Sequence, residues 1–191
     1  DGYTLLLATT TTAIAPLINK DPGYSFSQFE LLVPLSFDGF ILSINAAVPA
    51  KNLAEFIAHA KANPGKLNYG TSGVGGRFHL ATEFFQRRTE TKMEHIPFKG
   101  AAQFIPELIA GRIEVLFFPP VAQLTSQVKA GKLRALAMAT AERYAELPDV
   151  PTFTELGIEP LGTTPEEYGR YLRDEITRWS QVMRVHNIRA E

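Results

Sequence analysis

The run Tyr69-Gly70-Thr71-Ser72-Gly73-Val74-Gly75-Gly76-Arg77-Phe78-His79 passes from an apolar strand pattern, through glycines, into a helical pattern. Glycines let a backbone come close to a ligand and take positive φ. The unpaired N–H groups at a helix start carry partial positive charge and suit a carboxylate or phosphate. Ser72, Gly73, Gly75, Gly76 and His79 are therefore candidate anion-binding residues. A tight turn would use the same glycines. The run is not a nucleotide P-loop, because no Gly-Lys-Ser/Thr follows, and Phe78 stands where a dinucleotide fingerprint needs its third glycine.

Two other places could face the same ligand. Thr9, Thr10, Thr11 and Thr12 lie between a strand and a helix pattern, where four hydroxyls could donate to a carboxylate or merely cap the helix. Lys99 and Gly100 end one strand pattern and open a helix, so Lys99 could add positive charge there, although lysine is usually solvated. Ser72 and His79 together suggest a nucleophile and base. No G-x-S-x-G turn surrounds Ser72, however, and no acid partner can be named. His59, His79, His95 and His186 lack metal-ligand spacing, so no metal and no cofactor is expected.

The elements that must position these residues alternate between strand and helix. Strands are expected at 3–8, 31–35, 40–44, 66–69, 93–97, 113–118 and 133–138, the first of them buried. Helices are expected at 13–18, from Leu53, at 78–88, 101–110 and 121–129. Asn52 and Glu55 form a capping box ahead of Leu53, Phe56, Ile57 and Ala60 on one face. Leu80, Ala81, Phe84 and Phe85 are expected inward, and Pro106 should interrupt its helix early. Thr164, Pro165 and Glu167 open a last helix whose apolar face carries Leu172, Ile176 and Trp179. Alternation at this spacing predicts an α/β fold whose strands at 66–69, 93–97, 113–118 and 133–138 run parallel, with helices on both faces.

Composition narrows the function. Nineteen basic residues balance 20 acidic ones for a net charge of −1, so no basic field is available for nucleic acid or an anionic membrane. The chain has no cysteine, which excludes thiolate chemistry and disulfides and fits an oxidising compartment. No apolar run is long enough to insert in a membrane, and no secretion signal is visible in the given chain.

Several blocks, in order, resemble the tripartite tricarboxylate transporter substrate-binding proteins, the Bug receptor family. They are Asp1-Gly2-Tyr3-Thr4-Leu5-Leu6, Val48-Pro49-Ala50-Lys51-Asn52-Leu53, Asn63-Pro64-Gly65-Lys66-Leu67-Asn68-Tyr69 and the loop ending in His79-Leu80-Ala81. Pro97-Phe98-Lys99-Gly100, Lys129-Ala130-Gly131-Lys132-Leu133-Arg134, Leu147-Pro148-Asp149-Val150-Pro151-Thr152 and Gly162-Thr163-Thr164-Pro165 follow. The resemblance implies a periplasmic-binding-protein-like fold of type II, with two lobes, each a mostly parallel sheet flanked by helices. It implies a periplasmic receptor, not an enzyme, that closes on a small carboxylate or acidic amino acid and hands it to membrane permease subunits.

Under that resemblance, residues 1–44 are part of the first lobe, 45–139 the second, and 140–191 a return to the first. The threonines, the 72–76 loop and Lys99-Gly100 match ligand-facing places, with Phe98 for the family's tyrosine and Gly76 for its serine. The family's clamp loop ahead of Asp1 and a stretch after about residue 157 are missing, so the first lobe is expected to be incomplete. A degenerate remnant that binds nothing, or a small hydrolase using Ser72 and His79, are the rival expectations.

Overall fold

The computed structural model describes residues 3–8, 12, 15–16, 21–25, 28–30 and 39–158. The chain forms two compact units. One comprises Asp1–Leu35, Gly75–Arg77 and Leu161–Glu191, the other Ser36–Val74 and Phe78–Pro160. The expected strand at 31–35, the last helix, and most of the 13–18 helix fall outside the described residues.

The second unit holds a five-stranded sheet. Its strands are β1 (Phe40–Asn45), β2 (Asn68–Thr71), β3 (Glu94–Pro97), β4 (Val115–Phe118) and β5 (Leu133–Ala139), in spatial order β3-β2-β4-β1-β5. The helices are α1 (Leu53–Ala62), α2 (Arg77–Thr89), α3 (Ala101–Ile109) and α4 (Ala122–Lys129). β2 runs parallel to β3 and β4, while β1 runs antiparallel to both β4 and β5. The four segments expected to be parallel thus share one direction, and β1 alone opposes them. β1 ends beside the beginnings of β4 and β5, where Asn45 N–H donates to Glu114 O and Ala46 N–H to Lys132 O. β2 begins at that same edge, so α1 can join β1 to β2 without a full return crossing.

Strand residues alternate between two apolar layers. Leu42, Ile44, Tyr69, Val115 and Phe117 pack with Leu53, Phe56 and Ala60 of α1 and Phe85 of α2. On the opposite face Leu116 and Leu133 meet Phe104, Ile105 and Leu108 of α3 and Leu124 of α4. Gly70 lets α3 lie close on β2, because a Cβ there would come 2.5 Å from Ile113 Cδ1 and 3.1 Å from Phe104 Cβ.

Three expectations are corrected. Residues 3–8 form no strand and are exposed, with Tyr3 at 93% and Leu5 at 80% exposure, so the apolar run is not a buried strand. An apolar run shows a segment's preference for burial, but neighbours must supply the cover. In α2 the buried stripe is Phe78, Thr82, Phe85, Gln86 and Thr89, whereas Leu80, Ala81 and Phe84 are only half-buried. Two threonines can sit inside because Thr82 Oγ1 donates to Phe78 O and Thr89 Oγ1 to Phe85 O, leaving no hydroxyl unpaired. Pro106 does not interrupt α3. The N–H it lacks would have served Ala102, which is exposed, so water can take that carbonyl.

Candidate ligand site

β2, β3 and β4 each lead directly into a helix at their C-terminal ends. The starts of α2, α3 and α4 therefore belong to one edge of the sheet, where open α/β sheets bind ligands. The starts of α3 and α4 carry no side-chain cap. Gly100 precedes α3 and Val121 precedes α4, and neither makes a side-chain cap hydrogen bond. Gly76 precedes α2 and has no side chain to offer. α1 starts differently. Glu55 N–H donates to Asn52 Oδ1 at 2.9 Å, and Glu55 Oε2 accepts from Lys51 N–H at 2.7 Å. The capping box expected there is present.

The loop after β2 is shaped by Thr71, which is fully buried. Its Oγ1 accepts from Gly73 N–H at 3.1 Å and donates to Gly73 O at 3.1 Å. Gly73 has φ +121° with open space around its Cβ position, and Gly75 has φ +74°. Both conformations favour glycine. Ser72 and Val74 are exposed on this loop.

Behind the loop lies an aromatic stack. Tyr69 and His95 face each other across β2 and β3, their ring centres 5.0 Å apart. His79, from the first turn of α2, comes within 4.3 Å of the His95 ring and 6.3 Å of the Tyr69 ring. His95 Nε2 lies 2.6 Å from Thr71 Oγ1. Tyr69 Oη donates to Glu83 Oε1 at 2.6 Å, and Gln86 Nε2 donates to the same oxygen at 2.7 Å. Burial pushes His95 down to about 4, helped by His79 and opposed by Glu83. Burial also lowers His79, again against Glu83. Burial and the bond to Glu83 hold the Tyr69 phenol protonated well beyond its ordinary range.

Of the residues expected from sequence, Ser72 and Gly73 lie on this loop, with His79 in the stack behind it. Lys99 is exposed, and its backbone N–H donates to Gln103 Oε1 at 2.9 Å. Gly100 stands at the N-cap of α3. Thr9, Thr10 and Thr11 lie outside the described residues. Thr12 is helical and half-buried, and its carbonyl accepts from Tyr24 Oη at 2.8 Å. Sequence reasoning expected the helix at 121–129 but did not place its start at the site, and it missed Thr71 and His95. A Pro119-Pro120 pair directly after β4 was a usable signal for α4, whereas Thr71 and His95 meet only through strand register. The hydroxyl that meets an imidazole here is that of Thr71, which no substrate can reach, and not that of Ser72. Among the described residues no cluster of three or more His, Asp or Glu could hold a metal. No described helix is long and apolar enough to cross a membrane.

Comparison with known proteins agrees with this arrangement. The chain matches the family described as tripartite tricarboxylate transporter family receptor over residues 1–166. It is 33% identical to Protein BugT of Bordetella pertussis over 170 residues, covering 86% of this chain and 51% of that protein. It thus spans about half the length of the curated relatives it matches. A solved structure described as a periplasmic transporter is 34% identical, with TM-score 0.75, covering 94% of this chain and 64% of that one. The R. palustris protein Rpa4515, solved with adipate, is 25% identical with TM-score 0.76, covering 96% of this chain and 78% of that one. The sheet order, the helices on both faces and these matches agree, and the chain belongs to the tripartite tricarboxylate transporter receptor family.

Proposed function

We propose that this chain is part of a periplasmic receptor that binds a small carboxylate, does no chemistry on it, and passes it to membrane permease subunits. The observation that carries the reading is the edge where the starts of α3 and α4 lack side-chain caps beside the glycine loop after β2. Backbone N–H groups at a helix start that no side chain satisfies are suited to a carboxylate oxygen. The family and the adipate-bound relative support that ligand class. Ser72, Gly73, Gly75, Gly76, Lys99 and Gly100 are proposed to contact the ligand, with His79 acting from behind the loop. Thr9 to Thr12 are proposed to contact it from the first lobe. In lobe terms, the second lobe expected over 45–139 is proposed to correspond to the compact unit of Ser36–Val74 and Phe78–Pro160.

The test is titration calorimetry of the chain with adipate, succinate, citrate and glutamate. At least one should bind, and Ser72→Ala should weaken it by about tenfold or more, the scale of one hydrogen bond to a charged group. Absence of binding to every carboxylate, or turnover of any ligand, would overturn the reading.

A further inference from the structure

Resting on the receptor reading, we propose that His95 is a positioning residue for the ligand loop, acting through Thr71 on the backbone of Gly73. The Thr71 hydroxyl has one proton. In this proposal it donates that proton to Gly73 O and accepts from Gly73 N–H, which assigns the donor role in the 2.6 Å contact to His95 Nε2. Both polar groups of Gly73 are thereby held by one buried oxygen, whose orientation is set by the Nε2–H of His95. Such a restraint suits Gly73, whose φ of +121° is a glycine conformation and which has no side chain to anchor it.

The His95 ring is itself fixed. Tyr69 stacks on it at 5.0 Å and His79 lies at 4.3 Å. The far end of Tyr69 is tied to Glu83, Glu83 to Gln86 Nε2, and Gln86 Oε1 accepts from Met93 N–H immediately ahead of β3. These bonds link α2, β2 and the start of β3 into one block, from which His95 reaches the loop. Burial keeps His95 neutral at ordinary pH, as a single-proton donor at Nε2 requires.

The experiment compares His95→Phe, which keeps a stacking ring but has no donor, with Thr71→Val, which keeps the shape but has no hydroxyl. His95→Gln serves as a second substitution at His95. Adipate affinity is read by calorimetry, and Gly73 amide exchange is read in the unliganded chain. His95→Phe and Thr71→Val should each weaken adipate binding about tenfold, and the double variant should be no weaker than Thr71→Val alone, because coupled sites are non-additive. Thr71→Ser, which restores the hydroxyl, should recover most of the loss. Gly73 exchange should accelerate about tenfold in the same variants and not in Thr71→Ser. Wild-type affinity in His95→Phe, or additive losses in the double variant, would overturn the proposal, whereas His95→Gln, which keeps an amide donor, should lose less than His95→Phe. If the wild-type chain binds no carboxylate, the receptor reading fails, and Gly73 exchange decides the relay alone: unchanged rates in His95→Phe would refute it.

Discussion

The two edges of the sheet are built differently. At the edge where β4 and β5 begin, polar side chains close the backbone. Asn45 Nδ2 donates to Leu108 O at 2.8 Å near the end of α3, and Asn68 N–H donates to Glu114 Oε2 at 2.7 Å. Arg134 donates to Ala50 O at 2.5 Å, just ahead of the Asn52 and Glu55 capping box of α1. At the other edge, α3 and α4 start after Gly100 and Val121 with no side-chain cap. Both edges face the same physical demand, since a helix start leaves N–H groups without partners. One edge satisfies it internally. The other has no side-chain cap at the starts of α3 and α4, and that is the edge proposed to receive the ligand.

This contrast can be broken or sharpened by substitution. The largest effects should come from the layers both edges share. Phe56→Ala or Phe104→Ala should cost about 3–5 kcal/mol, since each ring is fully buried between sheet and helix. Chemical denaturation would measure it, and a loss below about 1 kcal/mol would mean that the layer can collapse around the gap. Next, Arg134→Met should cost roughly 1.5–3 kcal/mol of stability, the scale of a charged hydrogen bond to buried carbonyls, and leave ligand affinity unaltered. A change in affinity would show that the two edges are not independent. Asn52→Ala should cost about 1 kcal/mol by loss of the cap, again with unaltered affinity.

A smaller effect is expected from pH. His95 is held near 4 when folded against an ordinary 6.5, so folding favours its neutral form. The contribution is fully present above about 6.5 and is lost as pH falls from there toward about 4. His79 is lowered in the same sense, although Glu83 opposes the shift at both rings. The ring is only partly buried, so solvent reduces the size of the effect. Melting temperatures measured from pH 7 to 4.5 should fall less steeply in His95→Phe than in wild type. Equal slopes would contradict the assignment.

Much of this was legible in the sequence, for identifiable reasons. Apolar runs and glycine-proline punctuation mark all five strands of the sheet to within a few residues, and Asn52 with Glu55 marks the start of α1. The direction of β1 was not legible, because antiparallel pairing depends on which strands flank it rather than on its own residues. The buried face of α2 was misread because hydrophobicity alone cannot show that Thr82 and Thr89 satisfy their hydroxyls within the helix. The glycine loop was legible because glycine carries a backbone meaning that can be read in isolation. His95 and Thr71 were not, because the Tyr69–His95 register brings together residues from two different strands and no local spacing records it.

The most direct test is a titration of the isotope-labelled chain with adipate, followed through backbone amide resonances. The amides of Ser72, Gly73, Gly100, Ala101 and Ala122, at the uncapped edge, should shift with saturating dependence on ligand. Those of Leu53, Ala54 and Glu55, at the capped start of α1, should not. Saturating shifts confined to the capped edge, or no shift at either edge with any carboxylate tried, would contradict the assignment of the uncapped edge as the binding site.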